Sequence, residues 1–407
     1  MDPRFRASYN AVFSDAFYKE FLSAFEARVG SPIPYRVAET PFFVPDALRD
    51  RLAQHAREIL RLAISPAAIE AGKRAIPKDL DAPNMTDLPD CVQIDFAVVQ
   101  GEDGELDGRV VELQAFPSLY ALMALKLQVI SELMAKKSES LKRNWSIFYD
   151  GLDADGFTAR LKSAVVRDED PEEVVLLDLT PERQKTYPDF AATKILLGVD
   201  AVCPTKLKKQ GKRLFREKDG RLVPVKRIYN RVVFDELAKA NVELPFSYTE
   251  ELDVSWCSHP NWYWVISKDT LPRLEHRAVP RAQTLSRIGS DVPDDLSGYV
   301  LKPLFSFAGS GVVVDPTHED IANIPEEQRD GWLLQEKITY HPGIRMPDDN
   351  RVKAEVRMMF LRGAGDAEPR LTLNLVRLSR GKMLGVDQNK NLTWVGGSIG
   401  LFDGPGQ

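Results

Sequence analysis

The sequence predicts a mixed α/β (α+β) fold, and three observations predict it. Apolar residues recur at helical spacing through most of the first ninety positions. Near residue 90 the spacing shortens to that of strands around an acidic turn. From about Asn144 strand, helix and strand alternate, and the last third is rich in short strands. With 407 residues the chain is long enough for two or three domains and a sizeable core.

The elements follow in order. DAFYKEFLSAFEARVG (15–30) reads as a helix closed by Gly30, and VPDALRDRLAQHAREILRLA (44–63) as a second helix with a leucine stripe for packing. His55 in that stripe is expected at the surface or core edge, not as a ligand. CVQIDFAVV (91–99) and GRVVELQAF (108–116) form a hairpin about QGEDGELD, and SLYALMALKLQVISELMAKKS (118–138) returns to helical spacing. WSIFYDGL (145–152) and EVVLLDL (173–179) read as buried strands, YPDFAATKILLG (187–198) as a helix ending at Gly198, and VDAVCP (199–204) as a strand. That order suggests a small parallel α/β unit. GKRLFREKDGRLVPVKRIYNRVV (211–233) is a hairpin about KDG. KDTLPRLE (268–275) is helical despite Pro272, and VLKPLF, GVVVD, GWLLQEKI, AEVRMMFL and LTLNLVRL are strands.

Composition narrows the function classes. A net charge of −6 argues against a general nucleic-acid binder, and the basic run KLKKQGKR (206–213) reads as a solvated hairpin face. Cys91, Cys203 and Cys257 lie too far apart for a CxxC site or a disulfide framework, which suits a reducing compartment. The opening MDPRFRASYNAVF lacks an uninterrupted apolar core, so no signal peptide is expected, and no run approaches the roughly 20 apolar residues that span a bilayer. A cytoplasmic protein with no membrane partner is the expectation.

Three constellations carry chemistry. In YVLKPLFSFAGSGVVV (299–314) Lys302 ends one strand and a small-residue loop leads into another. Neither a P-loop nor a Rossmann fingerprint fits; what fits is a strand-to-strand glycine loop able to nest phosphates beside a lysine, or else a plain hairpin turn. WLLQEKI (332–338) ends an apolar strand in Gln-Glu-Lys, where backbone groups could read an adenine edge or the strand could simply meet solvent. Glu112 and Gln114 lie two apart on a strand and share a face, and antiparallel pairing could bring Asp95 beside them. Those oxygens suit Mg²⁺, unless the acids face water.

Together these segments resemble the circularly permuted ATP-grasp family, which includes relatives of glutathionylspermidine synthase. The resemblance rests on Asp95, the EDGE turn, Glu112 and Gln114, then PSLYAL (117–122), all upstream of the lysines, and it spans most of the chain from about residue 90. It implies a circularly permuted ATP-grasp fold with a small pre-ATP-grasp parallel α/β domain. The domains would be 1–143 (helices and metal hairpin), 144–250 (the α/β domain, closed by YNRVVFDEL) and 251–407 (the nucleotide lysines, loop and hinge). It implies Mg²⁺ on Asp95, Glu112 and Gln114, with glutamine standing where the family has asparagine. ATP would be bound by Lys268, Lys302, the loop residues Ser306, Ala308, Gly309, Ser310 and Gly311, and the hinge residues Gln335, Glu336, Lys337, Ile338 and Thr339. Arg357 and Arg377 would face the transferred group. An unpermuted fold would instead use Asp387 and Asn389 for the metal, and Gly396 and Gly397 are expected to form a turn near the site.

The activity implied is an ATP-dependent carboxylate–amine ligase with an acyl-phosphate intermediate and small-molecule carboxylate and amine substrates. A phosphotransferase and an ATP-binding regulatory or scaffold protein without turnover are the alternatives. The five scattered histidines suggest no nucleophilic triad.

Overall fold

The computed structural model describes residues 1–305, 310–348, 350–381 and 392–404. The hairpin forms where the alternation placed it, with strands Cys91–Gln100 and Leu106–Gln114 joined by a tight acidic turn. It does not stand alone. Arg351–Leu361 pairs antiparallel with Cys91–Gln100, Arg370–Ser379 pairs with Arg351–Leu361, and Gly396–Ser398 closes that side. The largest sheet is therefore built from two stretches that lie far apart in the chain. Pairing them restricts a long loop, a cost repaid only once the faces are buried.

Register assigns the faces. Val92, Ile94, Phe96 and Val98 alternate with Gln93 and Asp95 along the first strand. The hydrophobic set packs in the main core, which also takes in Leu48, Leu52, Ala56 and Ile59 from helix Asp46–Ala63. Gly108 admits that helix: a Cβ there would lie 2.4 Å from Leu52 Cδ2. The expected leucine stripe is thus core, but His55, within the same helix, is fully buried and not at an edge.

A bulge then reverses parity on the second strand. Asp95 pairs with Glu112, whereas Phe96 pairs with Val110, so Val111 is the extra residue. Val110 can face the core while Glu112 and Gln114 face the other way. The outer edge of this strand is covered too, by Ala115 N–H to Ile266 O at 3.1 Å and Val110 N–H to Ala278 O at 2.7 Å.

The α/β unit is a four-stranded all-parallel sheet, in the order Ser255–Cys257, Arg227–Asn230, Val174–Leu177, Asp200–Val202. Helix Tyr187–Leu197 ends at Gly198 in the left-handed region (φ 76°), as its sequence indicates. One of the sheet's two edge strands, Ser255–Cys257, lies past residue 250. WSIFYDGL does not join it. Trp145–Ser146 pairs with Gly400–Asp403 and Phe148 bridges Leu373, because the apolar face of this segment meets the N-terminal helices, with Trp145 edge-on to Phe5. A smaller antiparallel sheet orders Ala282–Thr284, Trp332–Glu336, Tyr299–Pro303 and Val313–Val314. The basic run at 206–213 is mostly exposed, and Lys208, Lys209 and Lys212 pair with Glu217, Glu250 and Glu251. No described helix is long and apolar enough to cross a membrane.

Gly396 and Gly397 open a strand, not the expected turn. Gly396 has φ 119°, and a Cβ on it would lie 2.2 Å from the Arg36 carbonyl oxygen. Gly396→Ala should therefore destabilise the protein by about 3 kcal/mol, from backbone strain plus overpacking. Gly104→Ala, also at positive φ but with open space around it, should cost about 1 kcal/mol. Urea unfolding measures both; equal losses would contradict the clash.

Candidate functional site

A cavity of about 650 Å³ lies between the largest sheet and the smaller antiparallel one. That is ample for a small-molecule ligand. Its apolar wall takes Val300 and Val314 from the smaller sheet and Val111 and Leu375 from the larger. Its polar wall is supplied by both ends of the chain. Glu112 and Gln114 come from the early hairpin, Glu355, Arg357 and Arg377 from the late strands, and Lys268 and Lys302 from between.

Beneath that wall lies a buried charge network. Arg357 grips Asp95 with two bonds, Nε to Oδ1 at 2.6 Å and Nη2 to Oδ2 at 2.7 Å, and its Nη1 donates to Gln93 Oε1 at 2.9 Å. Gln93 Oε1 also accepts from Gln114 Nε2 at 2.8 Å. Arg377 donates to both Asp95 and Glu355, and the Tyr340 hydroxyl donates to Glu355 at 2.7 Å. Paired strands explain the convergence: Asp95 is in register with Arg357 and with Glu112, and Glu355 with Arg377.

The two buried carboxylates differ. Burial pushes Asp95 up, but Arg357 and Arg377 outweigh it and hold its carboxyl below the usual range. For Glu355 burial wins over Arg377 and raises it.

Lys302 is almost fully buried at the end of its strand. Its Nζ donates at 3.2 Å to the Val111 carbonyl, on the bulge residue, so the bulge both aims Glu112 and receives the lysine. Burial lowers Lys302 to about 8, with Glu112 opposing and Lys268 assisting. Lys268, also buried, opens a short 3-10 helix that Ser267 caps.

The segment Gln335 to Thr339 lines the cavity, and Gln335 Oε1 is buried without a partner among the described residues. Lys337 Nζ donates to the Ser297 carbonyl and to Asp315, which lines the cavity with it. Ser310 and Gly311 are exposed near the rim and do not line the cavity, although Val312 does. Ser306, Ala308 and Gly309, together with Asp387 and Asn389, lie outside the described residues. Asp95 meets Glu112 and Gln114 on one face, as its register requires, but its oxygens are occupied by guanidinium groups and it is absent from the cavity wall.

Three participants escaped the sequence reading. Glu355 stands two residues before Arg357, so the same spacing rule that linked Glu112 to Gln114 would have found it. Tyr340 carried no pattern. Lys126 is the sole charge in ALMALKLQVI, which was a usable signal. It lines the cavity's far end with Ser118 and Tyr35, and its Nζ donates to the Gly397 carbonyl at 2.7 Å. The helix that carries it, Tyr120–Lys137, is fixed at its start by Asp189, which accepts from the Leu119 and Leu122 N–H groups and pairs with buried Arg231.

No known family's profile matches the chain, and no curated protein matches it. Among solved structures it is similar to a glutathione synthetase-like effector from Globodera pallida, in its apo form. The two are 12% identical, cover 91% of this chain and 96% of the other, and superpose with a TM-score of 0.54. The likeness is one of fold: this chain has a mixed α/β fold of the glutathione synthetase-like kind.

Lys126 gives a test of the far end. Burial lowers it from 10.5 to about 7. The unfolded chain therefore binds more protons between pH 7 and 10.5, and stability rises with pH across that window. Lys126→Met should stabilise the protein most at pH 6, and the gain should shrink toward pH 10. Guanidinium unfolding at pH 6 and 9 reads this; a gain independent of pH would contradict the buried charge.

Proposed function

We propose that the protein is an ATP-dependent carboxylate–amine ligase of the circularly permuted ATP-grasp type, acting with Mg²⁺. The observation that carries this reading is the meeting of an early acid and amide with late lysines on one cavity wall, since Glu112 and Gln114 face the same space as Lys268 and Lys302. Such a wall suits an anion bridged by a hard cation.

The donor chemistry fits both ligands. Glu112, Gln114 and Glu355 offer oxygen donors alone, the preference of Mg²⁺. Lys268 and Lys302, stripped of solvent, hold phosphates more strongly than exposed lysines would. Gln335 offers a base amino group at the hinge an acceptor that has no partner among the described residues. Bound Mg-ATP would supply a phosphoryl group to a carboxylate, and an amine would then displace phosphate from the resulting acyl phosphate. The chain's own residues position and shield. Arg357 and Arg377 are held rigid by Asp95, so their charge is fixed before developing negative charge arrives. The apolar valines of the wall exclude water that would hydrolyse an activated acyl group.

The engagement of Asp95 by both arginines favours a second reading, an ATP-binding protein that does not turn over. In both readings Glu112 and Gln114 hold the metal without Asp95.

Lys302→Ala and Glu112→Ala should each reduce ATP turnover at least 100-fold, with far-ultraviolet circular dichroism unchanged. ADP release over a panel of acids and amines measures turnover, and a thermal shift with Mg-ATP measures binding. Normal turnover in either variant removes the assignment. Binding without ADP formation over the whole panel supports the second reading.

A further inference from the structure

The geometry points to a binding site for a divalent transition-metal ion of the zinc class, held by His55, Glu58 and His276 with Asp107 orienting His55. It lies outside the wall described above and stands independent of the nucleotide reading.

His55 and Glu58 are three residues apart in helix Asp46–Ala63 and so share a face. His276 arrives from the stretch that follows Lys268's short helix, and the Val110–Ala278 bond fixes that stretch against the hairpin. The two imidazoles lie 5.2 Å apart, centre to centre, with rings inclined at 76°. One ligand atom from each of His55, Glu58 and His276 falls within 4.8 Å of the others. Tetrahedral zinc separates its nitrogen and oxygen ligands by roughly 3.4 Å, from bond lengths near 2.1 Å. Closing to that spacing takes a shift of the half-exposed Glu58 side chain and a rotation of the partly exposed His276 ring.

An ordinary hydrogen-bond cluster leaves one feature unexplained. Asp107 Oδ1 lies 2.9 Å from His55 Nε2, while His55 Nδ1 is fully buried and has no hydrogen-bond partner among the described residues. One nitrogen on a carboxylate and the other bare is the arrangement of a metal-bound histidine with its orienting acid. Arg277 also reaches His55 Nε2, at 3.2 Å, and a nitrogen cannot both donate to Asp107 and accept from Arg277. The Arg277 side chain is 67% exposed and can withdraw to solvent. Ligation by His276 Nε2 shifts its proton to Nδ1 and breaks the 3.1 Å bond from the Ala278 N–H. Glu58 already approaches that Nε2 at 2.8 Å.

Two nitrogens and a carboxylate favour zinc-class ions over Mg²⁺ or Ca²⁺, which prefer oxygen alone. An ion here would tie three elements together: helix Asp46–Ala63, the hairpin strand that carries Glu112, and the stretch that begins at Lys268.

The test uses the full chain stripped with a chelator, with ZnCl₂, CoCl₂ and MgCl₂ as separate probes. The wild type should retain one zinc per chain, give the visible absorption of four-coordinate Co²⁺, and ignore Mg²⁺ at equal concentration. Glu58→Ala and His276→Ala should each weaken zinc binding at least 10-fold and abolish the cobalt spectrum. Both side chains are less buried than His55, and metal-free melting confirms that the variants fold. Absence of zinc uptake by the wild type, or uptake undiminished in both variants, overturns the site.

Discussion

The bidentate pair between Asp95 and Arg357 is the contact on which the rest of the site depends. It joins strands whose residues are 262 positions apart, and it does so inside the protein, where an unpaired charge is costly. A one-residue slip between these strands would carry Asp95 to the hydrophobic face and strand both arginines. The pair therefore acts as a register lock. Once it is set, Glu112 faces Asp95, Arg377 faces Glu355, and the cavity wall is defined.

The lock also changes what Asp95 can do. In sequence it looked like an oxygen ligand, since a lone acid in VQIDFAV needs a partner and its arginines are invisible from there. The structure supplies those partners. Its contribution is to hold guanidinium groups still, and a fixed cation in a dry site counts for more than a mobile one. Glu355, with its carboxyl raised by burial, takes a place on the wall that Asp95 does not.

What was legible followed from local pattern. The hairpin announced itself through alternation and its EDG turn, and Gly30 and Gly198 marked helix ends that the structure confirms with left-handed backbones. The parallel order of the small α/β sheet followed from strand, helix and strand. What stayed hidden depends on distant partners. The bulge at Val111 leaves no sequence mark, yet it decides which way Glu112 points. WSIFYDGL reads as a strand in isolation, but only the aromatic N-terminal helices show where it docks. His55 meets Asp107 and His276 through folding alone, so a scatter of five histidines concealed a pair.

The fold shared with a glutathione synthetase-like effector sets an architecture, and fold alone does not fix function. The most direct measurement is a crystal structure with Mn²⁺ and a non-hydrolysable ATP analogue, reading the manganese from its anomalous signal. The account expects the ion against Glu112 and Gln114, with phosphates reaching Lys268 and Lys302 and the base beside Gln335. Nucleotide bound elsewhere, or manganese remote from the hairpin, would contradict it.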